Sequence, residues 1–164
     1  MTRTENNGHY FVEKYRDPTA GEAIDRVDRE IKNKERIEAM HKNSIEIPLP
    51  LADMNEYTNA QRANKYMGAK IKRENTEKCA IYTTIAAKHG AVFTYPCALK
   101  FTWIIANKRK DPDNIASSKK FILDGMQDAG FLPNDSFKYI TGLRDVFVVD
   151  KGREPCVIVE MDKK

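Results

Sequence analysis

Polar and apolar positions change period several times along this chain, and each change predicts an element. Asp17, Pro18 and Thr19 read as a helix start, followed by one apolar stripe of Ala20, Ile24, Val27 and Ile31. Ile37 and Met40 fall on the opposite side, so residues 1–44 are expected to be an N-terminal extension, partly helical. At Ser44 the period becomes two: Ile45 and Ile47 flank Glu46, and Pro48 and Pro50 end the strand. From Thr58 to about His89 the text is helical, with Gly68 as an expected break and His89-Gly90 as the stop. A strand from about Tyr95 to Asn107 follows, its Trp103-Ile104-Ile105 centre predicting burial on both faces. Ile115, Ile122, Met126 and Ala129 then predict one helix ended by Gly130, and residues 131–137 read as a turn. Two closing strands are expected at Arg144 to Val149 and Cys156 to Met161. This order predicts an α+β domain over residues 45–164, with one small mixed β-sheet flanked by helices.

Composition narrows the class. The 164 residues are 41% apolar and 32% charged, which excludes collagen-like and wholly disordered chains. No apolar stretch approaches a bilayer span and the first residues lack a signal-peptide core, so a cytoplasmic protein without a membrane partner is expected. The three cysteines and three histidines are scattered, so any metal would be held by oxygen ligands. Residues 1–44 balance nine Lys/Arg against nine Asp/Glu, which leaves the whole net charge of +4 to the rest. Arg62, Lys65, Lys70, Lys72 and Arg73 fall in a stretch without an acid, and Lys108, Arg109 and Lys110 form a second block. Clustered cations of this kind mark a polyanion site, although a solvated helix face would explain either cluster alone.

The second block runs into Asp111 and Asp113 at the end of the long strand. Two residues apart in extended geometry, their carboxylates project the same way and repel unless a cation lies between them. Hard oxygen donors suit Mg²⁺ or Mn²⁺. The plainer reading, helix capping, accounts for one of the two acids. On one continuous helix Asp113, Ser117, Lys120 and Asp124 would share a stripe, with Lys120 about 10.5 Å beyond Asp113 and leaning back toward it. Lys119, rotated by 100°, is expected to face solvent. Lys120 with Asp124 is otherwise an ordinary helix ion pair, and Asp135 an ordinary turn residue. Only a sharp fold at Gly130 would return Asp135 toward the strand end.

Lys108-Arg109-Lys110-Asp111-Pro112-Asp113-Asn114, the helix through Lys120 and Asp124-Gly125-Met126, then Ala129-Gly130 and Asn134-Asp135 closely resemble the RusA-type Holliday junction resolvases, especially phage-borne members. The resemblance covers about residues 45–161, including Ile47-Pro48-Leu49-Pro50 with Asn55 and the closing strand Val157 to Glu160. It implies a RusA-like fold and a Mg²⁺-dependent endonuclease (Mn²⁺ as substitute) that resolves branched DNA in recombination and repair. It further implies a homodimer of bacterial, phage or prophage origin. Asp111, Asp113 and Asp135 would bind the metal and Lys120 would assist. The basic residues named above would bind DNA phosphates. Two departures stand out: the late acidic pair is Asn134-Asp135 here, and the Asn114–Lys120 interval is longer than in the shortest members, which leaves Lys119 as a competitor for the lysine role. Residues 1–44 have no assigned counterpart. A non-catalytic branched-DNA-binding protein on the same fold is the alternative, and a small metal-binding interaction protein unrelated to DNA is a third reading.

Overall fold

A computed structural model describes residues 43–163, and contacts divide the chain between Met40 and His41. The helix expected from Asp17 lies outside the described residues.

The described chain is α+β. Four strands, β1 (Ser44–Pro48), β2 (Cys97–Ile105), β3 (Ile140–Val149) and β4 (Cys156–Met161), form one mixed sheet in the order β1-β4-β2-β3. β4 runs antiparallel to both β1 and β2, whereas β2 and β3 are parallel. A parallel pair requires a crossover, and here the crossover carries α3 (Pro112–Ala116) and α4 (Lys119–Asp128). The helices α1 (Met54–Ala63) and α2 (Lys65–Lys88) lie between β1 and β2 in sequence.

Register builds the core row by row. Ile47, Val157, Trp103 and Phe147 align across the sheet, and so do Ile45, Val159, Phe101 and Asp145. The apolar members of these rows belong to one core, with Ile122, Met126 and Cys79 from the helices, except Phe147, which is partly buried and packs against it. β2 therefore alternates: Leu99, Phe101 and Trp103 are fully buried while Lys100 and Thr102 are half-exposed. The expected burial on both faces holds at the centre, where the adjacent Trp103 and Ile104 are both buried, and fails nearer the strand start, where the second face carries the Lys100–Glu160 ion pair.

Two helix boundaries also differ from expectation. The long helical stretch breaks at Asn64 and not at Gly68, which is buried inside α2. Asn64 adopts an extended backbone, caps α1, and accepts the Tyr66 amide at 2.8 Å through its side chain. A short amide side chain competing for backbone donors makes a better breaker here than a glycine. The expected single helix from Ile115 to Ala129 is two, joined through Ser117 and Ser118. Both serines keep helical dihedrals, but the amides of Ser118, Lys120 and Phe121 bond three residues back, a tighter winding than the α-helix. The buried Ser118 hydroxyl donates to the Ala52 carbonyl at 2.9 Å, fixing this joint against the segment that follows β1.

α2 and α4 cross closely because Gly125 has no side chain. A Cβ there would lie 2.5 Å from Cys79 Cβ and 2.8 Å from both Ala80 N and Thr76 O. α4 ends at Gly130, whose φ of +68° is one that glycine adopts without steric cost. Phe131 and Leu132 amides fold back onto the Met126 carbonyl, and buried Leu132 anchors the reversal.

Candidate active site at the end of strand β2

β2 delivers the chain to residues 107–114 at its C-terminal end. Asp111 is the N-cap residue of α3 with extended backbone, yet its side chain makes no capping bond, and Asp113 lies in the first turn. Both are exposed, and among the described residues neither has an ion-pair partner. Capping therefore does not account for the Asp111 side chain.

The reversal at Gly130 brings the Asn134-Asp135 turn back along α4. Asn134 Oδ1 accepts the Ser136 amide at 3.0 Å, which shapes the turn. Lys120 Nζ then donates to Asp124 Oδ1 at 2.7 Å and to Asp135 Oδ2 at 3.2 Å. Its ammonium is held above the ordinary lysine range, chiefly by the hydrogen bond to Asp124; burial opposes this, and the Asp135 hydrogen bond and the charges of both acids add to the rise. Lys120 thus joins Asp135 to α4.

Lys119 does not face solvent. It is ion-paired with Asp145 on β3, and its ammonium lies 5.8 Å from the centre of the Phe101 ring. The tighter turn at Ser117–Ser118 winds about 120° per residue rather than 100° and swings position 119 toward the sheet. Asp145, which the sequence reading did not single out, sits in the otherwise apolar row of Phe101 and also accepts the Trp103 indole N–H at 2.8 Å. A buried-face acid of this kind needs both partners. Its only sequence signal is an Asp inside an apolar strand.

The basic clusters separate. Lys110 Nζ lies 2.6 Å from Asp53 Oδ2 and 3.3 Å from Glu56 Oε1. Asp53 and Glu56 form the capping box of α1, a D-x-x-E pattern legible in the sequence. Burial pushes the Asp53 carboxyl up, but the Lys110 hydrogen bond, the Glu56 and Asn55 amides and the Lys110 charge together hold it below its ordinary value. The Lys110 ammonium is raised in turn, mainly by the Asp53 hydrogen bond. Lys70 pairs with Glu74 at 3.8 Å, and Lys72 reaches across to Asp124 Oδ2 at 3.5 Å. Arg62, Lys65, Arg73, Lys108 and Arg109 are exposed, and none makes an ion pair among the described residues.

Among the described residues no three His, Cys, Asp or Glu side chains stand together as a metal-holding group. The donor chemistry of Asp111 and Asp113 nevertheless fits Mg²⁺: two exposed hard-oxygen carboxylates, two residues apart in sequence, with no ion-pair partner among the described residues. Asp135 is engaged by Lys120. Among the described residues no helix is long and apolar enough to cross a membrane. No model of a known protein family and no curated protein matches this chain.

Proposed function

We propose that this protein is a Mg²⁺-dependent, structure-selective DNA endonuclease of the RusA type, hydrolysing phosphodiester bonds in four-way junctions or related branched DNA. The observation that most supports this reading is the Lys120–Asp135 contact across fifteen residues. It gathers a helix lysine and the late acid of the resemblance, while Asp111 and Asp113, on the same β2–β3 crossover, have no ion-pair partner among the described residues. Asp111 and Asp113, with Asp135, would hold the ion. When bound, the metal supplies polarisation of the phosphate and a lowered pKa for the attacking water. Lys120, oriented by Asp124, stabilises negative charge developing on the phosphate oxygens. Lys108 and Arg109 bind flanking phosphates without reading bases. Because a four-way junction has two-fold symmetry and requires two cuts, the working unit is a C₂ homodimer.

The test incubates labelled four-way junction and linear duplex with the protein in Mg²⁺ or in EDTA. Paired cuts in the junction alone, and only with Mg²⁺, are expected. Binding without cleavage in Mg²⁺ would sink the enzymatic reading in favour of a non-catalytic branched-DNA-binding protein.

A further inference from the structure

Lys72 does not behave as its neighbours in the basic cluster do. Lys70 is taken up by Glu74 on its own helix, whereas Lys72 extends from α2 toward α4. There Asp124, whose side chain is only 16% exposed, offers one carboxylate oxygen to Lys72 and the other to Lys120. A single half-buried acid thus links two lysines from different helices. Both lysines line one cleft of about 250 Å³ with Asp53, Tyr57, Ser117 and Phe121. That volume exceeds the liquid volume of several waters, about 30 Å³ each, so a tetrahedral phosphate is accommodated.

Charge counting clarifies what the cleft can hold. Asp53 is already met by Lys110, which leaves Lys72 and Lys120 facing Asp124 and Asp135. Asp135 is the more exposed of the two acids and makes the longer bond to Lys120, 3.2 Å against 2.7 Å. An anion entering the cleft can displace Asp135 while Asp124 still holds both lysines. Each ammonium has three donors, so bonding Asp124 leaves donors on both for the oxygens of one phosphate.

We propose that Lys72 and Lys120, bridged by Asp124, form one two-lysine site for a single phosphodiester phosphate, so that Lys72 acts on bound DNA rather than on affinity alone. The substrate assignment rests on the nuclease reading, but the phosphate site does not. Two lysines fixed by one strut meet a phosphate with less loss of side-chain freedom than two independent surface lysines would.

The first arm of the test needs neither metal nor cleavage. The full chain, labelled at lysine ε-carbons, is titrated with inorganic phosphate in EDTA and followed by NMR. Resonances of Lys72 and Lys120 are expected to shift along one isotherm while that of Lys88, four turns further along α2, stays still; the Lys72→Ala variant should abolish the Lys120 shift. Separate isotherms, or a Lys120 response unchanged in Lys72→Ala, would overturn the site. The second arm measures single-turnover cleavage of saturating, pre-bound junction in Mg²⁺. Lys72→Ala is expected to slow the cut by about tenfold or more, a modest fraction of what deleting one charge-stabilising donor costs, with Lys72→Arg restoring most of the rate and Lys88→Ala leaving it unchanged. Full-rate cleavage by Lys72→Ala at saturation would overturn the role in turnover. A wild-type protein that cuts no branched DNA, yet shows the shared isotherm, would remove the nuclease reading and leave the phosphate site standing.

Discussion

Lys120 Nζ contacts both Asp124 and Asp135, while Lys119, one residue earlier, is paired with Asp145 in the otherwise apolar row of Ile45, Val159 and Phe101. Adjacent lysines therefore have different tasks. Lys120 is 58% exposed at its side chain and open to a substrate, whereas Lys119 is 21% exposed and balances a half-buried acid. Lys120→Ala should slow junction cleavage on the order of 10² to 10³-fold with little change in Tm. Lys119→Ala should lower Tm and shift Trp103 emission, since Asp145 would keep only its indole partner. Equal losses of cleavage rate in the two variants, measured at saturating junction, would defeat the division.

Asp113→Asn should abolish cleavage in Mg²⁺ while junction binding persists in EDTA. The substitution preserves side-chain shape and removes one of two carboxylates that have no ion-pair partner among the described residues. Gel-shift affinity and cleavage rate, measured on the same preparation, separate the two effects. Wild-type cleavage by the variant would displace the acid pair from the site.

Gly125→Ala should be strongly destabilising. The added Cβ meets two backbone atoms, Thr76 O and Ala80 N, at 2.8 Å, and backbone cannot swing aside as a flexible side chain can. The cost expected for overpacking a close helix crossing is about 2 kcal/mol or more, read as a lower urea midpoint. An unchanged midpoint would mean that the α2–α4 contact is looser than this crossing.

What the sequence made legible was local. The alternation of Ile45 and Ile47, the stop at Pro48, the closing strand Cys156–Met161 and the reversal at Gly130 each follow from one residue type at one spacing, and each recurs in the structure. The errors arose where a distant partner decides. Ser118 tightens the helix path while donating to Ala52, 66 positions away, and that winding turned Lys119 inward against expectation. The position of β4 between β1 and β2 likewise rests on pairing that no short window contains. At the candidate site the acids and Lys120 were visible as residue types, but the contact of Asp135 depended on a turn geometry that its spacing left open. Asp145 showed only as an acid inside an apolar strand and the bridging place of Asp124 not at all, because both roles depend on side chains from other elements.

Acid should weaken the fold partly through Asp53. A carboxyl held below its ordinary value of 3.8 stabilises the folded chain fully above the unfolded-state pKa, and this contribution is lost as pH falls through the folded-state value. Asp53→Asn keeps a capping oxygen but loses the charge that meets Lys110. The wild type should therefore exceed Asp53→Asn in urea midpoint at pH 6, with the gap closing as the pH is lowered below 3.8. A gap independent of pH would assign the effect to cap shape instead of charge.

Junction binding should be steeply salt-dependent, and the residues that set the slope should be the cations not already spoken for. Lys110 is held by Asp53 and Glu56, so releasing it to a phosphate would uncover a buried acid. Lys108 and Arg109, on the same loop, carry no such commitment among the described residues. Each neutralised phosphate contributes a slope near −0.9 to log K against log salt for duplex DNA, so Lys108→Ala with Arg109→Ala should flatten the plot by about 2. Lys110→Ala should change that slope little and lower the urea midpoint instead, because Asp53 would lose its cation. Titrations at several salt concentrations decide the matter: an unchanged slope in the double variant, or a flattened one in Lys110→Ala without loss of stability, would reverse the roles of the three cations.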